Sequence, residues 1–141
     1  MQQPIGQSHI GKKSMYEVLS LNRSSAHFYE LMGPVFGNRD FEKQVGIHCY
    51  DDPRKEFFVA IINRRVIAVC SFNKGTISDC FTEPQYRRQG ILTFLLNMAL
   101  RGVSRAKATC TQASRGVFEQ AGFVTVKNLK NYTMMEYKKD A

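Results

Sequence analysis

Apolar and polar positions alternate along this chain in a way that sets out short strands between amphipathic helices. Residues 15–21 (MYEVLSL) carry a strand period, and Asn22, Ser24 or Ser25 then caps a helix through Ala26, Phe28, Leu31 and Met32 that the Gly33-Pro34 pair stops or bends. A second short helix is expected over 39–45, ended by Gly46, before the polar turn 51–54 (DDPR). Two β-branched and aromatic runs follow, 57–63 (FFVAIIN) and 66–72 (VIAVCSF), separated only by Arg64-Arg65, which predicts a tight hairpin. Residues 73–75 turn the chain into another strand, 76–82 (TISDCFT). Residues 91–103 are apolar on most faces of a helix, so that helix should pack against a sheet. A strand over 107–111, a helix from Ser114 or Arg115 to Ala121 closed by Gly122, and strands over 123–126 and 132–137 complete the chain. The order β-α-α-β-β-β-α-β-α-β-β specifies a mixed α/β layer with helices on both faces.

Composition changes this picture little. A chain of 141 residues with 43% apolar and 23% charged positions fits one domain, 15–141, behind a polar, Gly- and Pro-containing stretch, 1–14, expected as a flexible N-terminal tail. No apolar run approaches the roughly 20 residues of a membrane span, and the first residues lack a signal-peptide core, so a soluble, cytoplasmic protein without a membrane partner is expected. Cys49, Cys70, Cys80 and Cys110 are too widely spaced for a metal ribbon and read as core thiols. Charge adds something new: 20 Lys and Arg against 12 Asp and Glu leave +8, which favours a polyanion, a phosphate-bearing cofactor or an acidic protein among the partners.

Chemistry concentrates where the strand 76–82 passes through Glu83-Pro84 into Gln85-Tyr86-Arg87-Arg88-Gln89-Gly90-Ile91-Leu92 and the apolar helix. The first amides of a helix have no intrahelical acceptor, the macrodipole adds partial positive charge, and Gly90 removes the side chain that would hold a phosphate off the backbone. Arg87 and Arg88 add mobile positive charge. A second signature follows, Phe118-Glu119-Gln120-Ala121-Gly122-Phe123.

At these residues the chain resembles the GNAT superfamily of acyl-CoA-dependent N-acetyltransferases. Arg87-Arg88-Gln89-Gly90-Ile91-Leu92 is similar to that family's pyrophosphate loop, Arg/Gln-x-x-Gly-x-Gly/Ala, with Leu92 departing at the sixth position, and residues 118–123 resemble Tyr-Glu-x-x-Gly-Phe. The resemblance implies a mostly antiparallel GNAT-like sheet opened by a V-shaped gap between strands 76–82 and 107–111. It implies acetyl-CoA or another acyl-CoA as co-substrate, with pantetheine along the edge residues Cys80, Phe81 and Thr82, pyrophosphate on the amides of 88–92 beside Arg87, and Phe118 flanking the site. Transfer to an amine of a small molecule or protein would be direct, with Asp79 or Glu83 as base. Phe118 stands where the family has an acid-donating Tyr, which leaves the departing thiolate to Ser114, Tyr132 or water, or leaves a module that holds acyl-CoA without reacting. A nucleic-acid-modifying enzyme of the same fold is compatible with the +8 charge. Arg101, Arg105 and Lys107 are read as a solvated helix end or as partners of the nucleotide 3'-phosphate or of an acidic acceptor. Tyr16, Phe28, Tyr29 and Phe36 are read as core or as an acceptor pocket.

Overall fold

The computed structural model describes residues 8–13, 16–38, 52–112 and 114–139, with side chains from residue 16 onward. Eight strands form one sheet in the order β1-β2-β3-β4-β5-β6-β8-β7. They are β1 (Ser8–Lys13), β2 (Tyr16–Leu21), β3 (Glu56–Ile62), β4 (Arg65–Asn73), β5 (Thr76–Thr82), β6 (Arg105–Cys110), β7 (Phe123–Asn128) and β8 (Thr133–Lys138). Every neighbouring pair is antiparallel except β5 and β6. Helix α1 (Phe28–Phe36) covers one face, while α2 (Ile91–Ala99) and α3 (Arg115–Gln120) cover the other.

Two cores follow from strand alternation. In β3, Phe57, Val59 and Ile61 pack toward α1 with Phe28, Met32 and Val35, whereas Ala60 joins Leu95, Leu96 and Ile67 beneath α2. The aromatic residues of the first elements are mostly core: Phe28 is tilted against Phe57 at 5.8 Å and Tyr16 meets Phe94 edge-on at 6.4 Å, while Tyr29 is exposed.

Several expectations are corrected. Residues 8–13, assigned to a loose tail, pair along β2 with a register shift at Gly11; their backbone donors and acceptors gain partners that a polar sequence pattern does not advertise. Pro34 lies inside α1 and does not end it. In so short a helix the ring forfeits one intrahelical bond, and Gly37 N–H donating to the Gly33 carbonyl closes the end. The first hairpin turns at Asn63-Arg64 and not at Arg64-Arg65: both carry positive φ, 50° and 64°, as a type I′ turn requires, and Arg65 enters β4. Asn22 and Ser25 close a turn on each other, Asn22 N–H donating to Ser25 Oγ at 2.9 Å, ahead of the helix they were expected to cap. Helix α2 ends at Ala99, short of Val103, where Leu100 and Gly102 turn the chain. The helix expected over 39–45 and the thiol of Cys49 lie outside the described residues.

Gly122 closes α3 at φ 102°, and a Cβ there would sit 3.3 Å from the Tyr137 ring. Gly102 has a similar φ, 77°, but open space around it. Gly122→Ala is therefore expected to cost about 1–2 kcal/mol and more than Gly102→Ala, because it adds steric conflict to the strain both share. Urea denaturation midpoints of the two variants check this order.

Candidate active site

The defining irregularity is in β5. Val69 pairs with Phe81 and Ser71 with Ser78, so Asp79 and Cys80 together face Cys70 across the ladder. Asp79 takes φ 57° to accommodate the extra residue. The bulge inverts the strand: Ile77 belongs to the core beneath α2, whereas Phe81, four residues on, belongs to the core beneath α1. Unbroken alternation would place both on one face.

From Ser78 onward, β5 loses its other neighbour. Its parallel pairing with β6 is confined to Thr76 with Lys107 and Ile77 with Ala108, after which the strands part. The gap is a cleft of about 480 Å³ bordered on one side by Ser78, Asp79 and Cys80 and on the other by Thr109, Cys110 and Thr111, with Ser114, Phe118 and Tyr132 at its walls. A parted parallel pair leaves strand-edge amides and carbonyls without ladder partners, a surface that an extended polar ligand can satisfy.

Polar groups in the cleft are tightly organised. The Asp79 side chain is buried, and its Oδ2 accepts from Lys55 Nζ at 2.8 Å and from Ser71 Oγ at 2.7 Å, with Ser78 Oγ at 3.4 Å. Its Oδ1 is buried and has no donor among the described residues. Such an orphan acceptor is costly unless something in the cleft satisfies it. Ser114 Oγ lies 3.2 Å from the Thr111 carbonyl and 3.1 Å from Thr111 Oγ1. Phe118 is buried edge-to-face against Phe123 and offers the cleft only hydrocarbon. The hydrogen bond with Cys70 and burial push the Cys80 thiol up, and burial does the same for Cys110, so both stay protonated near neutral pH, the form that does not attack carbonyls.

The loop after β5 has a defined shape. Pro84–Tyr86 form one 3₁₀ turn, and Arg87 Nε donates to the Thr82 carbonyl at 2.9 Å. Arg88 and Gly90 follow with φ 64° and 78°. Phe94 N–H is bonded to the Gly90 carbonyl, so the amides of Ile91, Leu92 and Thr93 begin the nine-residue helix without intrahelical partners. Among the described residues other than its chain neighbours, no atom lies within 4 Å of where a Gly90 Cβ would stand, which leaves room at the helix start. Gln89 is tied back to the Gln85 carbonyl, and Leu92 packs against the core beneath α2.

This chain belongs to the acetyltransferase (GNAT) family. The family model matches residues 28–123, from α1 to the first residue of β7. The chain is 30% identical over 74 residues to the uncharacterized N-acetyltransferase YafP of Escherichia coli (strain K12), and it spans about half of that relative, 49%, with 52% of its own length. Its fold is shared with an acetyltransferase from Thermus thermophilus, with a TM-score of 0.65, 16% identity, 94% of this chain and 100% of that one. A GNAT family acetyltransferase from Elizabethkingia anophelis with acetyl-CoA bound matches with a TM-score of 0.57, 12% identity, 90% of this chain and 100% of that one.

Within this GNAT domain, the residues singled out in the sequence divide. Asp79, Cys80, Ser114, Phe118 and Tyr132 converge on the cleft, and Arg87, Arg88, Gln89, Gly90, Ile91 and Leu92 form the loop and helix start beyond it. Phe81 turns its ring into the α1 core, and the Thr82 carbonyl is engaged by Arg87. Glu83 is not brought to the cleft: its carboxylate pairs with Arg65, beside the Arg64–Glu30 pair, at the rim of a separate cavity of about 490 Å³ under α1. Arg105 and Lys107 lie beside the N-terminal end of β5, about 20 Å of strand rise from the loop at its other end, which removes them as partners for a phosphate held there. Lys55 was missed, while Cys110, read as a core thiol, borders the cleft as a buried thiol that stays protonated. Lys55 stands 24 residues before Asp79 and meets it only because β3 and β5 both flank β4.

Among the described residues no helix is long and apolar enough to cross a membrane, and no His, Cys, Asp and Glu cluster could hold a metal ion.

Lys55→Met would strand the buried Asp79 carboxylate with hydroxyl donors alone. The expected cost is about 3 kcal/mol, and the double variant with Asp79→Asn should lose less than the two single costs combined. A double-mutant cycle by urea denaturation measures the coupling.

Proposed function

We propose that this chain transfers an acyl group from acetyl-CoA, or another acyl-CoA, directly to an amine. The observation that carries the reading is the continuity of the parted β5 edge with the loop 87–90 and the free amides of α2: one extended thioester-bearing ligand with a pyrophosphate would meet polar backbone along its length and positive potential at its end. The open space at Gly90 and the orphan Oδ1 of Asp79 fit such a ligand.

Bound there, acyl-CoA supplies the activated thioester, and the protein's own task is to place it, desolvate it and manage two protons. The amides of 91–93 and the turned backbone at Arg88 and Gly90 would hold the phosphates, while Arg87 fixes the loop through Thr82. Asp79 Oδ1 is the acceptor available for a proton leaving the amine, directly or through water, while Lys55 and Ser71 occupy Oδ2 and fix the carboxylate plane. Tyr132 borders the cleft and carries the phenol that Phe118 lacks; the Ser114 hydroxyl is already engaged with Thr111. These assignments make Asp79 the base in preference to Glu83, and Tyr132 the donor to the thiolate in preference to Ser114.

Isothermal titration with acetyl-CoA and thioester consumption against a panel of amines, peptides and nucleic acids test the proposal. Gly90→Asp should abolish acetyl-CoA binding in a folded protein, because it places bulk and negative charge at the helix start. Asp79→Asn and Tyr132→Phe should each lower turnover by about 10²-fold or more with acetyl-CoA affinity retained, and Cys110→Ala should stay within a few-fold of wild type. Undiminished affinity in Gly90→Asp would remove the cofactor assignment. Binding without acylation, in wild type and in Phe118→Tyr alike, would leave a module that holds acyl-CoA.

A further inference from the structure

On the α1 side of the sheet, the core beneath the helix draws on β2, β3, β4 and β5 and on no residue of β6, β7 or β8. Among the described residues, none covers the corresponding face of those three strands. Its side chains run in three rows across the ladders: Arg105 beside Lys138; Lys107, Glu136 and Val124; and Thr109, Met134 and Lys127. All are exposed, Val124 at 64% and Met134 at 41%. Arg105 and Lys138 stand directly opposite each other, a like-charge pairing that sheets ordinarily avoid, and with Lys74 and Lys107 they ring a pocket of about 440 Å³. Five cations, Lys74, Arg105, Lys107, Lys127 and Lys138, face one carboxylate, Glu136, and among the described residues none of the five forms an ion pair. The face continues through Thr109 to the wall of the cleft.

From this juxtaposition we infer that the uncovered face of β6, β8 and β7 docks an acidic polypeptide, and that this polypeptide carries the amine presented to the cleft. The inference rests on the acyl-transfer reading for its second half and on charge complementarity for its first. Uncompensated cations oppose a second copy of the same face and favour a partner rich in Asp and Glu. Exposed aliphatic side chains among those cations suit a protein surface, whereas a single-stranded nucleic acid would call for stacking aromatic residues, which these three rows lack. The face lies at the N-terminal end of β5, so an acceptor would approach from the end opposite the loop 87–90 and would not compete for it.

Fluorescence anisotropy with the full chain tests this using a labelled peptide of one central lysine flanked by glutamates, its glutamine counterpart, and a labelled DNA duplex of matched length. The glutamate peptide should bind roughly tenfold or more tighter than the glutamine peptide, lose that advantage as salt rises, and lose it in the exposed-site variants Arg105→Ser with Lys138→Ser, with acetyl-CoA affinity unchanged by titration calorimetry. Equal affinity for the two peptides, or indifference to the double variant, overturns the docking surface. Tighter binding of the duplex overturns it in favour of a nucleic-acid partner. Acylation is scored separately by the mass of the central lysine. A protein that fails to bind acetyl-CoA refutes the acyl-transfer reading and leaves the docking result to stand by itself, whereas peptide binding with active cofactor turnover on other amines, but no modified lysine, refutes only the assignment of the docked chain as acceptor.

Discussion

One extra residue in β5 governs this structure. The Asp79-Cys80 pair opposite Cys70 turns the strand over, sends Ile77 and Phe81 into different cores, and aims the strand away from β6. A left-handed backbone at a non-glycine residue is costly and persists only where the surroundings over-determine it. Here Lys55 and Ser71 supply that determination by gripping the Asp79 carboxylate. The side chain that stabilises the irregular backbone is thus also the carboxylate at the cleft that the irregularity creates, so folding and site geometry share the same bonds.

The two ends of the cleft differ in physical character. Toward α2 it ends in free amides and a glycine-opened loop, which suit phosphate. At the other end, beside the parallel pairing of Thr76 with Lys107, lie exposed side-chain cations interspersed with aliphatic groups, on a sheet face that no described residue covers. Backbone dipoles are rigid and demand a fixed ligand; lysine and arginine side chains tolerate variation in theirs. The constant donor proposed for one end and the variable acceptor proposed for the other accord with that division.

Much of this was legible in the sequence because local rules and global fold agree. Apolar runs marked β3, β4 and α2, and the strand–loop–helix passage through Arg87 and Gly90 marked the proposed anion site. The misses have physical causes. Nothing in TISDCFT distinguishes a bulged strand from a regular one, since its residues suit either face. Lys55 could not be tied to Asp79 without knowing that both strands flank β4. Glu83 looked equivalent to Asp79 by proximity, yet Arg65, entering β4 after the Asn63-Arg64 turn, draws it into a separate cavity under α1, away from the cleft. Phe118 was recognised as lacking a proton, but that Ser114 is committed to Thr111 while Tyr132 borders the cleft depends on tertiary structure.

The bond from Arg87 Nε to the Thr82 carbonyl has a kinetic meaning as well as a structural one. It holds the loop in shape with the chain alone, so the conformational entropy of ordering that segment is lost once, on folding, and not again at each encounter with a ligand. Association of the proposed acyl-CoA at this end of the cleft would then be an encounter with a preorganised receptor, limited by diffusion and orientation and not by loop closure.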